Sequence, residues 1–252
     1  MPHQPRTISG VEVTPLCDAV GPMGPAIRRP LTEMFPGGGL ADEPWILHFH
    51  CYLLRDRAGR VTLVDTGIGA ADSPASSWAP VPGTLPGELA AAGVEPADVD
   101  TVILTHLHSD HASGAVADGR PLFENARYVL QQAEVDAAHG AMLDQIVTPI
   151  KGQLQVVDGD AQVAPGVRVQ LAPGHTPGHQ IVRLGELAMT GDLVLHPAQL
   201  ADPTVRYVYD DDQAAAAATR AEVLGALRAE RAILATAHFS DPFLNLGELE
   251  SR

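Results

Sequence analysis

Apolar and polar residues alternate in short bursts along this chain, separated by Gly- and Pro-rich breaks, with one long helical stretch near the C-terminal end. Residues 7–13 alternate weakly and predict a first strand. Ile46 to Leu54 and Arg60 to Asp65 predict a strand pair joined by Arg57-Ala58-Gly59. Leu85 to Ala92 predicts a helix stopped by Gly93. A strand over 101–105, a helix beginning within 112–117, a strand at Tyr128-Val129-Leu130 and a helix from Gln132 to His139 follow. Strands are expected at 154–157 and 167–171, and a further pair, Gln180 to Leu184 and Leu187 to Thr190, turns at Gly185-Glu186. Gln213 to Arg231 is the clearest helix: it is Ala-rich, and Asp210, Asp211 and Asp212 stand where acid complements the helix dipole. Ala232 to Thr236 predicts the last strand. Residues 15–44, punctuated by Pro22, Pro25, Pro30, Pro36 and Gly37 to Gly39, predict a long irregular segment, either a mobile flap over a site or a loop hugging the surface. Strands arrive in two batches, each followed by helix, so the fold class is α/β: a layered sandwich with helices outside and sheets between.

Composition narrows this picture. A chain of 252 residues, 45% hydrophobic, suits a single globular domain over 1–252 with a sizeable core. The net charge of −15 argues against a partner with a phosphate backbone, so no nucleic acid is expected, and it is compatible with a small neutral substrate. No run approaches the ~20 apolar residues of a membrane span, and Met1-Pro2-His3-Gln4-Pro5-Arg6 lacks the apolar core of a signal peptide. A cytoplasmic protein with no membrane partner is expected. Cys17 and Cys51 are far apart and suggest no disulfide framework; buried free thiols are the plain reading of both.

The chemistry is concentrated at strand ends. Thr105-His106-Leu107-His108-Ser109-Asp110-His111 follows the apolar run Thr101-Val102-Ile103-Leu104. Neutral imidazole and carboxylate are preferred donors for zinc and similar divalent ions, and a polar surface turn rarely gathers so many. Pro173-Gly174-His175-Thr176-Pro177-Gly178-His179, Thr190-Gly191-Asp192 and the final Ala237-His238 each add a ligand-type residue at the end of a predicted strand.

Taken together, these elements resemble the metallo-β-lactamase superfamily over nearly the whole chain and in the same order, and Leu63-Val64-Asp65-Thr66-Gly67 resembles its strand-end Asp that braces the ligand loop. The resemblance implies a four-layer αββα sandwich. It implies a two-metal site in which His106, His108 and His175 hold the first ion, Asp110, His111 and His238 the second, and Asp192 bridges them. Zn²⁺ is the default ion for such a set; Mn²⁺, Fe²⁺ or Co²⁺ also suit it. Two such ions share a hydroxide whose parent water has its pKa brought down to around 7, and this nucleophile attacks a carbonyl or phosphoryl centre. Asp192 and Asp110 are thus the implied catalytic residues, Asp110 as proton shuttle to the leaving oxygen. Asp65 is expected to orient a ligand rather than bind metal. His179 is expected to do the same or to be structural, since seven ligands already fill the site.

Within the superfamily two branches fit, the N-acyl homoserine lactonases and the branch resembling methyl parathion hydrolase. The stretch from Gly191-Asp192-Leu193-Val194 through His196-Pro197 to Asp202-Pro203-Thr204-Val205 looks more like the second. Some lactonases carry a substrate-contacting tyrosine three residues after the bridging Asp; here that residue is Leu195, while Tyr207 and Tyr209 lie further on as pocket candidates without an assigned catalytic role. Met23, Phe35, Trp45 and Trp78 either shape an acyl or aryl pocket or staple loops to the core. His48 and His50 share one face of a strand, where satisfied structural histidines are the plainer reading and a pocket wall the alternative. His196 is evenly a rim residue or a bland one; His3 and His139 read as surface residues. The expected function is hydrolysis of small lactones or carboxylic and aryl esters, with a homodimer implied by resemblance alone. The alternatives are a thioesterase, a phosphoester or phosphotriester hydrolase, a pathway-specific biosynthetic metal enzyme and a non-enzymatic metal-binding scaffold. A thioesterase of the glyoxalase II type is disfavoured by the 14 residues after His238, too few for its helical domain.

Overall fold

The computed structural model describes residues 3–25, 27–77 and 82–249. Counted along the chain, β1 (Arg6–Ile8), β2 (Val11–Pro22), β3 (Ile46–Arg55), β4 (Val61–Val64), β5 (Thr101–Ile103), β8 (Arg127–Gln131) and β9 (Leu154–Val157) form a seven-stranded sheet in that order. A second sheet has six strands in sequence order: β10 (Ala161–Ala164), β11 (Val167–Leu171), β12 (Gln180–Leu184), β13 (Leu187–Met189), β14 (Ile233–Ala235) and β15 (Phe243–Asn245). β6 (Val116–Ala117) and β7 (Arg120–Pro121) make a small separate ribbon. The first sheet is antiparallel from β1 to β4 and parallel from β4 through β9.

Alternation along the strands builds the layers. In β4, β5 and β8 the successive residues Leu63 and Val64, Val102 and Ile103, Tyr128 and Val129 point to opposite faces, and both faces are buried. Val64, Ile103 and Val129 meet Val169, Val182, Leu184 and Met189 of the second sheet. Leu63, Val102 and Tyr128 pack outward on Leu85 and Leu89 of the helix Leu85–Ala91 and on Ile146, Val147 and Ile150. Ile181, Ala188 and Leu234 of the second sheet pack outward on Val223, Leu224 and Leu227 of the helix Gln213–Ala229. The result is helix, sheet, sheet, helix, the expected four-layer α/β sandwich of the metallo-β-lactamase fold. Each fully buried aliphatic side chain in these layers stabilises by about 1.5–3 kcal/mol. The long helix starts where Asp212 accepts from the Ala214 and Ala215 amides, a cap worth about 1 kcal/mol. It ends two residues before the expected Arg231, which instead takes up the left-handed conformation at φ +55°.

Several expectations are corrected. Residues 15–44 are not one irregular segment: β2 continues to Pro22, and Leu31–Met34 is a short helix. Pro15 and a bulge between Cys17 and Ala19 hide the strand by breaking its alternation. β1 pairs with β2 only as far as Val13, so Pro15 lies where β2 has an open edge, a position that tolerates proline. The weak strand at 7–13 is a hairpin turning at Ser9-Gly10, both at positive φ. The helix expected within 112–117 starts earlier, at Ser109. The strand expected to be last is followed by β15, and β10 joins as a strand the pattern did not suggest. No helix among the described residues is long and apolar enough to cross a membrane.

The bulge has a structural purpose. Asp18 is fully buried, and its carboxylate accepts from the Ile68 and Leu85 amides, each at 2.7 Å. It thereby ties β2 to the turn after β4 and to the start of the helix Leu85–Ala91. Burial pushes its carboxyl above the usual range, against the pull of those amides. Asp18→Ala strands two buried donors, so thermal and urea unfolding should show a loss of about 2–4 kcal/mol.

Candidate metal centre

Every sequence-predicted ligand converges at one edge of the two sheets. β4 and β5 run parallel, so the loops that leave their C-terminal ends, Asp65-Thr66-Gly67 and Thr105 to His111, lie side by side. Asp65, at φ +59°, accepts from the Thr105 amide at 2.7 Å, from the Thr105 hydroxyl at 2.9 Å and from His111 Nδ1 at 2.9 Å. These bonds tie the end of β4 to the histidine loop. From the second sheet come His175 before β12, Asp192 after β13 and His238 after β14.

The donor atoms fall into two groups, each with its atoms within 4.8 Å of one another: His106, His108, His175 and Asp192, and Asp110, His111 and His238. Asp192 faces both. Its Oδ1 lies 3.0 Å from both His111 Nε2 and His238 Nε2, and its Oδ2 lies 3.2 Å from His175 Nε2 and 3.8 Å from His106 Nε2. His175 Nε2 and His108 Nδ1 are 2.9 Å apart. Among these atoms, His106 Nε2 and Asp192 Oδ1 are buried with no hydrogen-bond partner. Lone pairs packed this closely repel unless a cation or protons stand between them, so the donor set fits two divalent ions.

The outer nitrogens of His106, His111, His175 and His238 are held, which fixes tautomer and ring orientation. His106 Nδ1 donates to the Thr105 hydroxyl at 3.0 Å, His111 Nδ1 to Asp65, His175 Nδ1 to Asp210 at 2.8 Å, and His238 Nδ1 to the His48 carbonyl at 2.9 Å. All four rings thus turn Nε2 inward. His179 stands apart from this pattern. Its Nε2 accepts from the Asp192 amide at 3.1 Å and its Nδ1 donates to the Ala172 carbonyl at 3.2 Å, so both nitrogens are engaged away from the donor groups. Gly191, at φ +47°, is where a Cβ would come within 2.9 Å of His179 Nε2, so the turn that carries Asp192 requires glycine.

Three residues that matter were missed in the sequence. Glu134, buried at the start of the helix Gln132–Ala137, accepts from the Leu107 amide at 2.7 Å through one oxygen. Its other oxygen accepts from the Thr176 hydroxyl at 2.7 Å and the Gly178 amide at 2.9 Å, so it clamps the two histidine loops together. Asp210, read as a helix-dipole acid, orients His175 and pairs with the buried Arg220 at 3.4 Å. Nothing in their local sequence marks Glu134 or Asp210; Arg220 in an otherwise Ala-rich helix was the visible signal.

A cavity of about 200 Å³ opens over the centre, lined by Met23, Ile27, Leu47, Leu195, Tyr207 and Tyr209 together with His108, Asp110, His175, Asp192 and His238. Phe35 stacks behind Tyr207 at 5.0 Å and Trp45 packs on Phe35 at 5.2 Å, so the Phe35 and Trp45 rings support the wall rather than face it. Trp78 lies outside the described residues. His196 caps the helix Pro197–Ala201 by accepting from the Ala198 amide, the bland of its two readings. His139 is exposed, as expected. His48 and His50 are absent from the cavity wall and lie behind His238 with Cys17, which is half-buried rather than buried; His3 packs edge-on against His50 at 5.2 Å.

The αββα sandwich carries at its strand ends two His/Asp donor groups, each able to hold a divalent ion. Residues 50–238 match the family described as the metallo-beta-lactamase superfamily, and the chain belongs to it. It is 34% identical over 176 residues to an N-acyl homoserine lactonase of a Bacillus species, a match covering 63% of this chain and 64% of the relative. It is 32% identical over 162 residues to N-acyl homoserine lactonase AiiA of Bacillus thuringiensis subsp. kurstaki, covering 58% of this chain and 61% of that one. The chain thus spans just under two-thirds of the length of these curated relatives. Among solved structures, AidC, a dizinc quorum-quenching lactonase in complex with a hexanoyl-homoserine product, superposes with a TM-score of 0.80 at 22% identity over 96% of this chain and 92% of the other. This last likeness is one of fold.

Electrostatics sets a condition on metal entry. Burial, reinforced by the neighbouring histidines, holds His106 well below the usual imidazole range and His108 down at about 3, so both are neutral donors. For His175 burial also opposes the charge, but Asp192 and Asp210 override it and lift the ring to about 9. His111 and His238 are raised in the same way, chiefly by Asp192 against burial. Below pH about 9 the metal-free cluster therefore retains protons that a metal must displace. Zinc binding to the stripped protein should release protons at pH 7, and apparent affinity should fall as pH falls. Calorimetric titration in two buffers of different ionisation heat measures the release; binding with no proton release would contradict this account.

Proposed function

We propose that the protein is a metal-dependent hydrolase of small neutral lactones, of the N-acyl homoserine lactonase type, with two zinc ions as its resident metals. His106, His108 and His175 hold one ion, Asp110, His111 and His238 the other, and Asp192 joins the two sites. When bound, such ions polarise a carbonyl oxygen and bring the pKa of water down to about 7, so that hydroxide is the nucleophile. The observation that carries the reading is the position of Asp192: its two oxygens face the two donor groups separately, at the floor of a cavity with an apolar wall. The curated relatives named as lactonases support the choice of substrate class.

The chain's own groups supply the rest. Asp110 lines the cavity beside Asp192 and takes the remaining proton of the hydroxide once it has added to the carbonyl. As the ring C–O bond breaks it passes that proton to the leaving oxygen, and a hydroxy acid is the product. Met23, Ile27, Leu47 and Leu195 offer an acyl chain an apolar surface. Tyr207 is 4% exposed, and burial together with the nearby carboxylates keeps its phenol protonated, so it is a hydrogen-bond donor to a substrate oxygen. This gives Tyr207 the assisting role that Leu195, at the position expected for it, cannot supply. The cavity wall contains no lysine or arginine among the described residues, which favours a neutral lactone over a phosphoester or an anionic thioester.

The test is proton release by zinc-reconstituted protein over lactones, aryl esters, thioesters and phosphotriesters. Lactones with an acyl chain should turn over fastest, and Asp192→Asn should lower kcat/KM at least about 100-fold by weakening both sites. Turnover of phosphotriesters or thioesters without lactones would overturn the reading. Tyr207→Phe should lower kcat/KM on the preferred lactone about tenfold, the loss expected for one neutral hydrogen bond, while metal content stays unchanged. An unchanged kcat/KM would remove Tyr207 from the reaction.

A further inference from the structure

Beside His238, on the strand pair β2 and β3 whose backbone bonds to it, lies a third group of metal-type donors. β2 and β3 pair antiparallel with Cys17 directly opposite His50, and His48 lies two residues along β3 on the same face. Asp18, the next residue of β2, points to the opposite face, where its carboxylate serves the core, and leaves the thiol on the histidine face. Cys17 Sγ and one nitrogen from each of His48 and His50 lie within 4.8 Å of one another. Sγ is 3.7 Å from His48 Nδ1. The edge of a tetrahedron built on zinc–sulfur and zinc–nitrogen bonds is about 3.6 Å.

His50 provides a second, independent observation. The residue is 3% exposed, and its Nε2 lies 2.9 Å from the Phe239 carbonyl, which can only accept. That bond fixes the neutral tautomer with its proton on Nε2, and leaves Nδ1 as a bare lone pair. Nδ1 is buried and has no hydrogen-bond partner. A stranded imidazole lone pair beside a second imidazole and a thiol calls for a cation. The rings of His48 and His50 stack at 5.4 Å, and that of His3 stands edge-on to His50 at 5.2 Å, so a third imidazole is at hand.

We propose that Cys17, His48 and His50 form a separate site for a single zinc-class cation, structural in kind and distinct from the seven-residue centre. On binding, the Cys17 S–H bond is replaced by a sulfur–metal bond and the proton leaves to solvent. The mixed sulfur and nitrogen donor set selects zinc or another borderline-soft ion over magnesium or calcium. The site also borders the catalytic region, because the His48 carbonyl accepts from His238 Nδ1, and the His50 amide donates to the Ala237 carbonyl at 2.9 Å. A metal bound here braces the strand that aims His238.

Cobalt(II) distinguishes the two kinds of site, because the seven-residue centre contains no sulfur. The full-length protein, stripped of metal and titrated with cobalt to full loading, should develop a thiolate-to-cobalt charge-transfer absorption in the near ultraviolet whose final amplitude corresponds to one thiolate–cobalt bond per chain. Cys17→Ser should abolish that absorption and lower bound zinc from three ions to two per chain. Cys51→Ala and Asp192→Asn should retain it, which separates this site from the fate of the proposed catalytic centre. Cys17 is half-buried, and a serine there is nearly isosteric, so circular dichroism of Cys17→Ser should match the parent. A fully cobalt-loaded protein without the absorption, or an absorption that survives Cys17→Ser, would overturn the proposal.

Discussion

The interaction on which this structure turns is the burial of one carboxylate, Asp192, among imidazoles that cannot all be neutral around it. Desolvation alone would raise its carboxyl, yet His111, His238 and His175 hold it well below the usual carboxylate range. Two sheets must meet at this edge for that to happen, since His106, His108, Asp110 and His111 leave the first sheet and His175, Asp192 and His238 leave the second. The apolar layer between the sheets fixes the distance from which both sets of loops start. Removing one member of such a buried charge network costs more than the network contributes to stability, so its presence is better understood as a device for position than as a source of stability.

Precision comes from acids that touch no candidate ion. Asp65, Glu134 and Asp210 are all buried, and each converts a flexible loop into a fixed one by accepting from backbone amides, hydroxyls or imidazole N–H groups. Glu134 joins loops from the two sheets, and Asp210 is itself pinned by Arg220, which also donates to the carbonyls of Leu193, Pro203 and Val205. The orientation of His175 therefore depends on a residue in the long outer helix. Mechanical connection of this kind lets a centre built on loops hold sub-ångström tolerances.

How much of this could be read in the chain follows from how local each signal is. The ligand-type residues were legible because each stands at the end of an apolar run, and strand ends in parallel register must lie together. The strands with both faces buried were legible as apolar bursts, and the Ala-rich helix by its composition and acidic start. β2 was not, because Pro15 and the bulge at Asp18 broke its alternation, and a strand is read by alternation alone. β15 and β10 were missed because each is only a few residues long and gains its identity from a neighbour. Glu134 looked like any helical surface glutamate; its role exists only once Leu107 and Gly178, distant in sequence, are brought to it. The same holds for Cys17 opposite His50, neighbours that exist only once β2 and β3 have paired.

The bulge at Asp18 connects these levels. The extra residue in β2, Asp18, holds Ile68 and Leu85 from one face, while its neighbour Cys17 faces two histidines of β3 on the other. A regular strand would put Asp18 in the ladder and displace every residue after it by one position, which would swap the faces of Ala19, Val20 and Gly21. The feature that made β2 hard to recognise is thus the one that sets Val20, and not Ala19, opposite His48. Because that cluster shares the His48 carbonyl with His238, the geometry of the outermost strands reaches the centre through one hydrogen bond.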